Sequence, residues 1–197
     1  MSPGLTRTIT AGDETKNVHS ESFNGVSILN SSLKTGDSAL TTRDAKISDA
    51  SQILAFIQAL ADYEKEPAAV TATVADIEAA LFAPQATVTA LIFEYNGASI
   101  GFAVYFQNFS TWLGRHGLFL EDLYIAPAYR RHGFGRAALR VLAQRAVNAG
   151  CARFEWNVLN WNTPAIDLYE AIGAKPQSEW TGYRLDGAAL RRFAAGE

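Results

Sequence analysis

The chain has 197 residues, 48% of them hydrophobic and 19% charged, with a net charge of −3 at pH 7. That is ordinary globular composition, long enough for one domain with its own core. The acidic balance argues against a general nucleic-acid binder, and no stretch approaches the ~20 apolar residues needed to cross a bilayer.

Residues 1–36 are rich in Ser, Thr, Asn and Gly and lack apolar periodicity, so they read as a flexible or loosely attached extension ahead of a domain over 37–197. No signal-peptide pattern opens the chain, and the expected location is cytoplasmic. A short strand is expected from Ala39 to Ala45. Ser48 or Asp49 then caps a helix with Ile53, Phe56, Ile57 and Leu60 at 3.6-residue spacing, ending near Tyr63 and Glu64. A second helix starts at Thr73, where Asp76 completes a capping box, and stops before Pro84. Val88–Tyr95 and Ile100–Phe106 flank Asn96-Gly97, the pair that most readily takes the positive φ angles of a tight hairpin.

Leu118 to Ala126 is the next strand, stopped by Pro127, and Arg136 to Asn148 a helix with Leu139, Leu142, Ala143 and Ala146 at helical spacing. The lone Cys151 excludes an internal disulfide, and its place after Gly150, at a helix-to-strand junction, reads as a buried, inert thiol. Arg153 to Leu159 alternates as a strand, and the crossover helix before it implies parallel pairing. Thr163 caps a short helix with Pro164 in its first turn and Gly173 as its stop, and Trp180 to Leu185 reads as a final strand. The sum is an α/β fold with a mixed, mostly antiparallel sheet containing one parallel βαβ unit.

The segment Leu118 to Gly135, LFLEDLYIAPAYRRHGFG, places a strand, an Arg/Gly-rich turn and a helix in the order an anion site requires. Gly133 and Gly135 remove side chains that would keep an anion off the backbone, Arg130, Arg131 and Arg136 add charge, and the helix's free amides point back at the loop. A lone G-x-G would be an ordinary turn, and neither the G-x-x-x-x-G-K-[ST] nor the G-x-G-x-x-G signature is present. The turn does read R-x-x-G-x-G. Here the chain resembles the GNAT acetyltransferase superfamily, which binds the pyrophosphate of acetyl-CoA on a [QR]-x-x-G-x-[GA] turn. The resemblance implies a GNAT fold whose splayed strands form the acetyl-CoA cleft. It assigns cofactor binding to Arg130, Arg131, His132, Gly133, Phe134, Gly135 and Arg136, with backbone amides of Leu123, Tyr124 and Ile125 holding the cofactor arm and the acetyl oxygen.

A second segment, from Asn162 to Gly173, resembles the superfamily's N-x-x-A-x-x-x-Y-x-x-x-G motif. Asn162 sits at the mouth of a helix, and Tyr169, about two turns on, can project toward the same cleft. The resemblance gives Asn162 to the cofactor arm and makes Tyr169 the acid that protonates the departing thiolate. Taken alone, Tyr169 would be a core aromatic.

An alkylamine with pKa near ~10.4 is on the order of one part in a thousand neutral at pH 7, and only that form attacks a thioester. Removing the proton costs roughly 4–5 kcal/mol unless a base takes it. Glu121 and Asp122 interrupt an otherwise apolar strand just before the cradle, where a carboxylate needs a reason. Strand alternation would send them to opposite faces, and a structural ion pair is the competing explanation for each.

The motifs L-E-D-L-Y-I at Leu120 to Ile125 and A-D-Y-E at Ala61 to Glu64 narrow the resemblance to the polyamine and thialysine N-acetyltransferase branch, from about Leu40 to the C-terminus. That branch implies Glu121 as a base working through water, Glu64 at the acceptor amine, and Tyr63, Trp112 and Trp180 near the acceptor. Asp122 and Glu155 add to a site suited to a cationic diamine, polyamine or lysine-like amino acid. Taken alone, Glu64 could be a solvated helix end and Trp180 a core residue. One more residue separates Trp112 from Glu121 than in the polyamine enzymes, and Arg131-His132 replace a commoner small residue or glycine in the cradle. The expected co-substrate is acetyl-CoA without a metal, since His19, His116 and His132 lack ligand spacing. The family implies a homodimer with a small-molecule amine as substrate. Competing readings are an acetyltransferase acting on a protein amino terminus or an aminoglycoside, and a non-catalytic acyl-CoA sensor.

Overall fold

The computed structural model describes residues 32–35 and 38–197. The extension expected over 1–36 falls outside them except for β1, Ser32–Thr35, which pairs antiparallel with β2, Ser38–Asp44. The elements that follow are α1 (Ala50–Glu64), α2 (Val74–Phe82), β3 (Val88–Tyr95), β4 (Ala98–Ser110), β5 (Arg115–Ile125), α3 (Phe134–Asn148), β6 (Phe154–Trp156), α4 (Thr163–Ala171) and α5 (Gly187–Ala194). The strands lie in sequence order, β1 to β6. Every pairing is antiparallel except β5 with β6, the expected parallel unit closed by α3.

Local chemistry sets these boundaries. Thr73 and Asp76 form the reciprocal cap of α2. The hairpin between β3 and β4 turns on Asn96 and Gly97, at φ 49° and 78°. In β3, Ala90 to Phe93 are all buried because helices cover both sheet faces. One face packs Leu91, Phe93, Leu118 and Leu120 against Leu139 and Leu142 of α3, and the other packs Ile92, Phe102 and Tyr124 against Ile53 and Phe56 of α1. Gly101 lies where a Cβ would come 2.1 Å from the Tyr124 carbonyl oxygen, so only glycine allows β4 to pass β5 there.

The start of α1 is fixed by charge. Asp49 accepts two hydrogen bonds from the Arg43 guanidinium, at 2.6 and 3.0 Å, and Arg43 Nε also donates to Glu94 at 2.8 Å. The Asp49 carboxyl, held below its usual range by Arg43, accepts the Lys46 amide as well, so it ties the helix entry to β2 and β3 rather than capping α1.

Three sequence expectations change. The strand expected over Arg153 to Leu159 is cut to three residues. Asn162, not Thr163, is the residue preceding α4. The final strand expected over Trp180 to Leu185 does not form, because these residues reach no sheet edge of their own chain; the whole stretch 175–197 is exposed, and α5 within it carried no recognised signal.

Candidate active site

β5 and β6 pair only from Leu118↔Phe154 to Leu120↔Trp156. Beyond Leu120 the two strands part, so the β6-facing edge of β5 has no partner strand over Leu123 to Ile125 and the Ile125 carbonyl accepts from Arg130 instead. A cleft of ≈ 960 Å³ opens in this gap, lined by both strand ends, the end of α1, the start of α3, and α4. Free backbone donors along one wall can hold an extended polar chain.

At one end lies the arginine–glycine turn. Arg131 and Gly133 both adopt left-handed conformations, at φ 64° and 81°, and Gly133 precedes α3. Left-handed residues in a turn curl successive amides into an anion-binding concavity, and the first α3 amides continue it. Arg131, Gly133, Gly135 and Arg136 line the cleft, whereas His132 turns its ring toward Phe134, 5.9 Å away. Arg130 braces the turn: its Nε donates to the Ile125 carbonyl at 2.8 Å, and its guanidinium lies 4.6 Å from the Tyr63 ring centre and 5.5 Å from that of Tyr124.

Tyr63 is a hub. Its hydroxyl donates to Asn162 Oδ1 at 3.0 Å, and its ring packs at 5.7 Å on Trp161. Tyr169 reaches the same cleft from α4, edge-on to Trp156 at 5.0 Å. Burial pushes its hydroxyl up from the usual phenol value, with Tyr63 and Glu64 adding to the shift, so it stays protonated as a hydrogen donor at neutral pH.

Glu64, Glu121 and Asp122 all line the cleft. A β-bulge explains why both strand carboxylates do so: Val104 faces Asp122 and Tyr105 faces Leu120, which leaves Glu121 as the extra residue. Simple alternation therefore fails at this point. Among the described residues neither forms an ion pair, so the structural explanation for their presence drops away. Burial, reinforced by Glu121 and Glu64, pushes the Asp122 carboxyl up to about 6, and burial also raises Glu64.

The other candidate residues lie elsewhere. Glu155 accepts from Asn108 at 2.8 Å and pairs with Arg153 at 2.7 Å. Trp112 and Trp180 meet edge to face at 6.4 Å outside the cleft, 87% and 72% exposed. Cys151 is half-buried and accepts from Gln107 at 3.7 Å, and burial raises its thiol. Among the described residues no three His, Cys, Asp or Glu gather into a metal-holding group. Leu168 lines the cleft as its place on the helix suggests, whereas the sequence reading missed the apolar liners Leu60 and Val158, which carry no chemical signal, and the packing of Trp161 on Tyr63.

The profile of the Acetyltransferase (GNAT) family matches residues 52–174, more than half of the chain. The chain belongs to the GNAT acetyltransferase family. It is 34% identical over 163 residues to a thialysine N-epsilon-acetyltransferase of Sus scrofa, spanning 77% of this chain and 95% of that one. It is also 42% identical over 91 residues to an L-ornithine N5-acetyltransferase of Arabidopsis thaliana, spanning 46% and 40%. Among solved structures, an aminoglycoside N-acetyltransferase in complex with CoA superposes with a TM-score of 0.60 at 19% identity, covering 77% of this chain and 98% of that one, which speaks for the fold alone.

As a member of this family the chain is an acetyltransferase, and the family's co-substrate is acetyl-CoA. Its cleft fits that co-substrate: the curled amides and arginines suit a pyrophosphate, and the unpaired edge of β5 suits an amide-bearing arm. Gly135 has room for this, since a Cβ there would meet only Leu168, at 3.5 Å.

Proposed function

We propose that the acceptor is the primary amine of a small cationic molecule, a diamine, polyamine or lysine-like amino acid, acetylated directly in a ternary complex with acetyl-CoA. One observation carries this reading: Glu64, Glu121 and Asp122 converge on the cleft without an ion pair among the described residues, while the arginines of the cleft cluster at the anion turn. An ammonium group supplies the missing countercharge in a partly desolvated site. The thialysine and L-ornithine N-acetyltransferases named above support the same acceptor class.

In this reading Arg131, Gly133, Gly135 and Arg136 hold the cofactor diphosphate, with His132 and Phe134 completing the turn and Arg130 bracing it. Asn162 and the amides of Leu123, Tyr124 and Ile125 hold its arm, and a backbone donor from that edge receives the charge developing on the acetyl oxygen. Glu64 and Tyr63 position the acceptor. The Glu121–Asp122 pair takes the ammonium proton, a role the family resemblance places on Glu121, and Tyr169 protonates the leaving sulfur. Trp112, Trp180 and Glu155 would join the acceptor site only from a second copy or after rearrangement. The site of action is the cytoplasm, and the working unit a homodimer. The exposed C-terminal arm supports the homodimer, because Tyr183 is 95% and Phe193 73% exposed on a single chain.

The test is thiol release from acetyl-CoA with spermidine, putrescine, thialysine, lysine, ornithine, an aminoglycoside and a peptide amino terminus. The reading requires a cationic small amine to have the highest kcat/KM, and Glu64→Gln to reduce that preference. Preference for the peptide or the aminoglycoside would overturn it. Light scattering on the full chain and on Phe193→Asp checks the dimer, which the substitution is expected to weaken.

A further inference from the structure

Resting on the transfer reaction just proposed, we infer that Asp122 is the group that receives the acceptor's proton, and that Glu121, the bulge residue beside it, is a positioning residue. The bulge separates their settings. Asp122, paired opposite Val104, lies on the same sheet face as Tyr124, which packs on Phe56 of α1, and so faces the helix that ends in Glu64. Glu121 is the unpaired extra residue and is exposed, whereas Asp122 is half-buried. A half-buried carboxylate facing two others holds a proton more firmly than usual, and both neighbours act in that direction.

Among the described residues two charged groups act on Asp122. Glu121 lies on its own strand and Glu64 comes from α1; β4 contributes the apolar Val104 opposite. Arg130, the cation stacked on nearby Tyr63 and Tyr124, is committed through its Nε to the Ile125 carbonyl. The acceptor arrives as an ammonium, and one N–H proton passes to an Asp122 oxygen, directly or through water. The neutral nitrogen then forms its bond to the acetyl carbon and the carbon–sulfur bond breaks. Tyr169 gives its proton to the sulfur and recovers one from the nitrogen, while Asp122 releases the first to solvent. The sum is an N-acetyl amine, free CoA and one proton.

The experiment compares kcat/KM against pH for wild type, Asp122→Asn and Glu121→Gln, with one cationic amine. Wild type is expected to lose activity below about pH 6, where Asp122 becomes protonated. Asp122→Asn is expected to lower the rate ~10²–10⁴-fold at pH 7. That defect should shrink by roughly tenfold per pH unit toward the amine's own pKa, because the acceptor then arrives neutral; a residue that merely binds the ammonium gives no such rescue. Glu121→Gln should cost less and move the acid limb to lower pH. A second readout independent of turnover is the carbon resonance of the Asp122 carboxyl in the free enzyme, expected to titrate near pH 6 and to fall in Glu121→Gln. The inference is overturned if Glu121→Gln is the variant rescued at high pH while Asp122→Asn keeps the wild-type acid limb, or if Asp122 titrates with an unshifted carboxyl. Wild type that acetylates no amine at all would bring down the transfer reading itself, an outcome separate from either of these.

Discussion

The Tyr63 hydroxyl donates to Asn162 Oδ1 at 3.0 Å, joining the last turn of α1 to the start of α4 across the cleft. The same ring supports the Arg130 guanidinium on the anion turn. One phenol thus links α1, the arginine–glycine turn and the helix bearing Tyr169. Tyr63→Phe removes the hydrogen bond and keeps the ring, so KM should rise ~2–10-fold for both acetyl-CoA and the amine, the effect of ~0.5–1.5 kcal/mol. Two-substrate kinetics checks this, and an effect confined to one substrate would break the proposed link.

Tyr169→Phe keeps the packing on Trp156 and deletes only the hydroxyl. Its kcat should fall ~10²–10⁴-fold while calorimetric acetyl-CoA affinity stays within about twofold, because the proton is needed only as sulfur leaves. Activity retained within a few-fold would assign the proton to another donor.

Gly133 and Gly135 should separate stability from binding. Gly133→Ala strains a residue at φ 81° and should cost ~1 kcal/mol in stability. Gly135→Ala sits in the first turn of α3 with ordinary clearance, so the melting temperature should hold or rise, while the added methyl narrows the path to the amides and weakens acetyl-CoA binding. Thermal melts with and without acetyl-CoA read both effects.

Asp122 also makes a stability prediction with a definite sign. Its folded value of about 6 lies above the ordinary 3.8, so the fold favours the protonated form. The group is best tolerated below pH 4, its cost grows as pH rises through 6, and it then levels off. At pH 8 that cost is ~1–3 kcal/mol, discounted for access of cleft water. Asp122→Asn should therefore melt higher than wild type at pH 8 and equally at pH 4, even as it loses activity. Equal melting at both pH values would remove the electrostatic strain.

Much of this was legible from local chemistry. The Asn96-Gly97 hairpin, the Thr73 and Asp76 cap and the Arg130 to Gly135 turn each rest on a few adjacent residues whose backbone needs are known in advance. The bulge at Glu121 was not legible, since it depends on register against β4, and that is why alternation misassigned the two carboxylates. The Tyr63–Asn162 bond spans 99 residues and could not be read from spacing. Trp180 to Leu185 carries a strand's composition, yet a strand also needs an edge to join, and no single-chain pattern reports one. Glu155 was read as a site residue by its charge alone, before Asn108 and Arg153 were seen to use that charge.

The most direct test of the central claim is mass spectrometry of a small cationic amine incubated with acetyl-CoA and the full chain, with released thiol counted in parallel. The account predicts one acetyl group on a primary amine for each thiol freed and no acetyl left on the protein. Acetyl-CoA bound at the cleft with no acetylated amine, or an acetyl group retained on the protein, would contradict it.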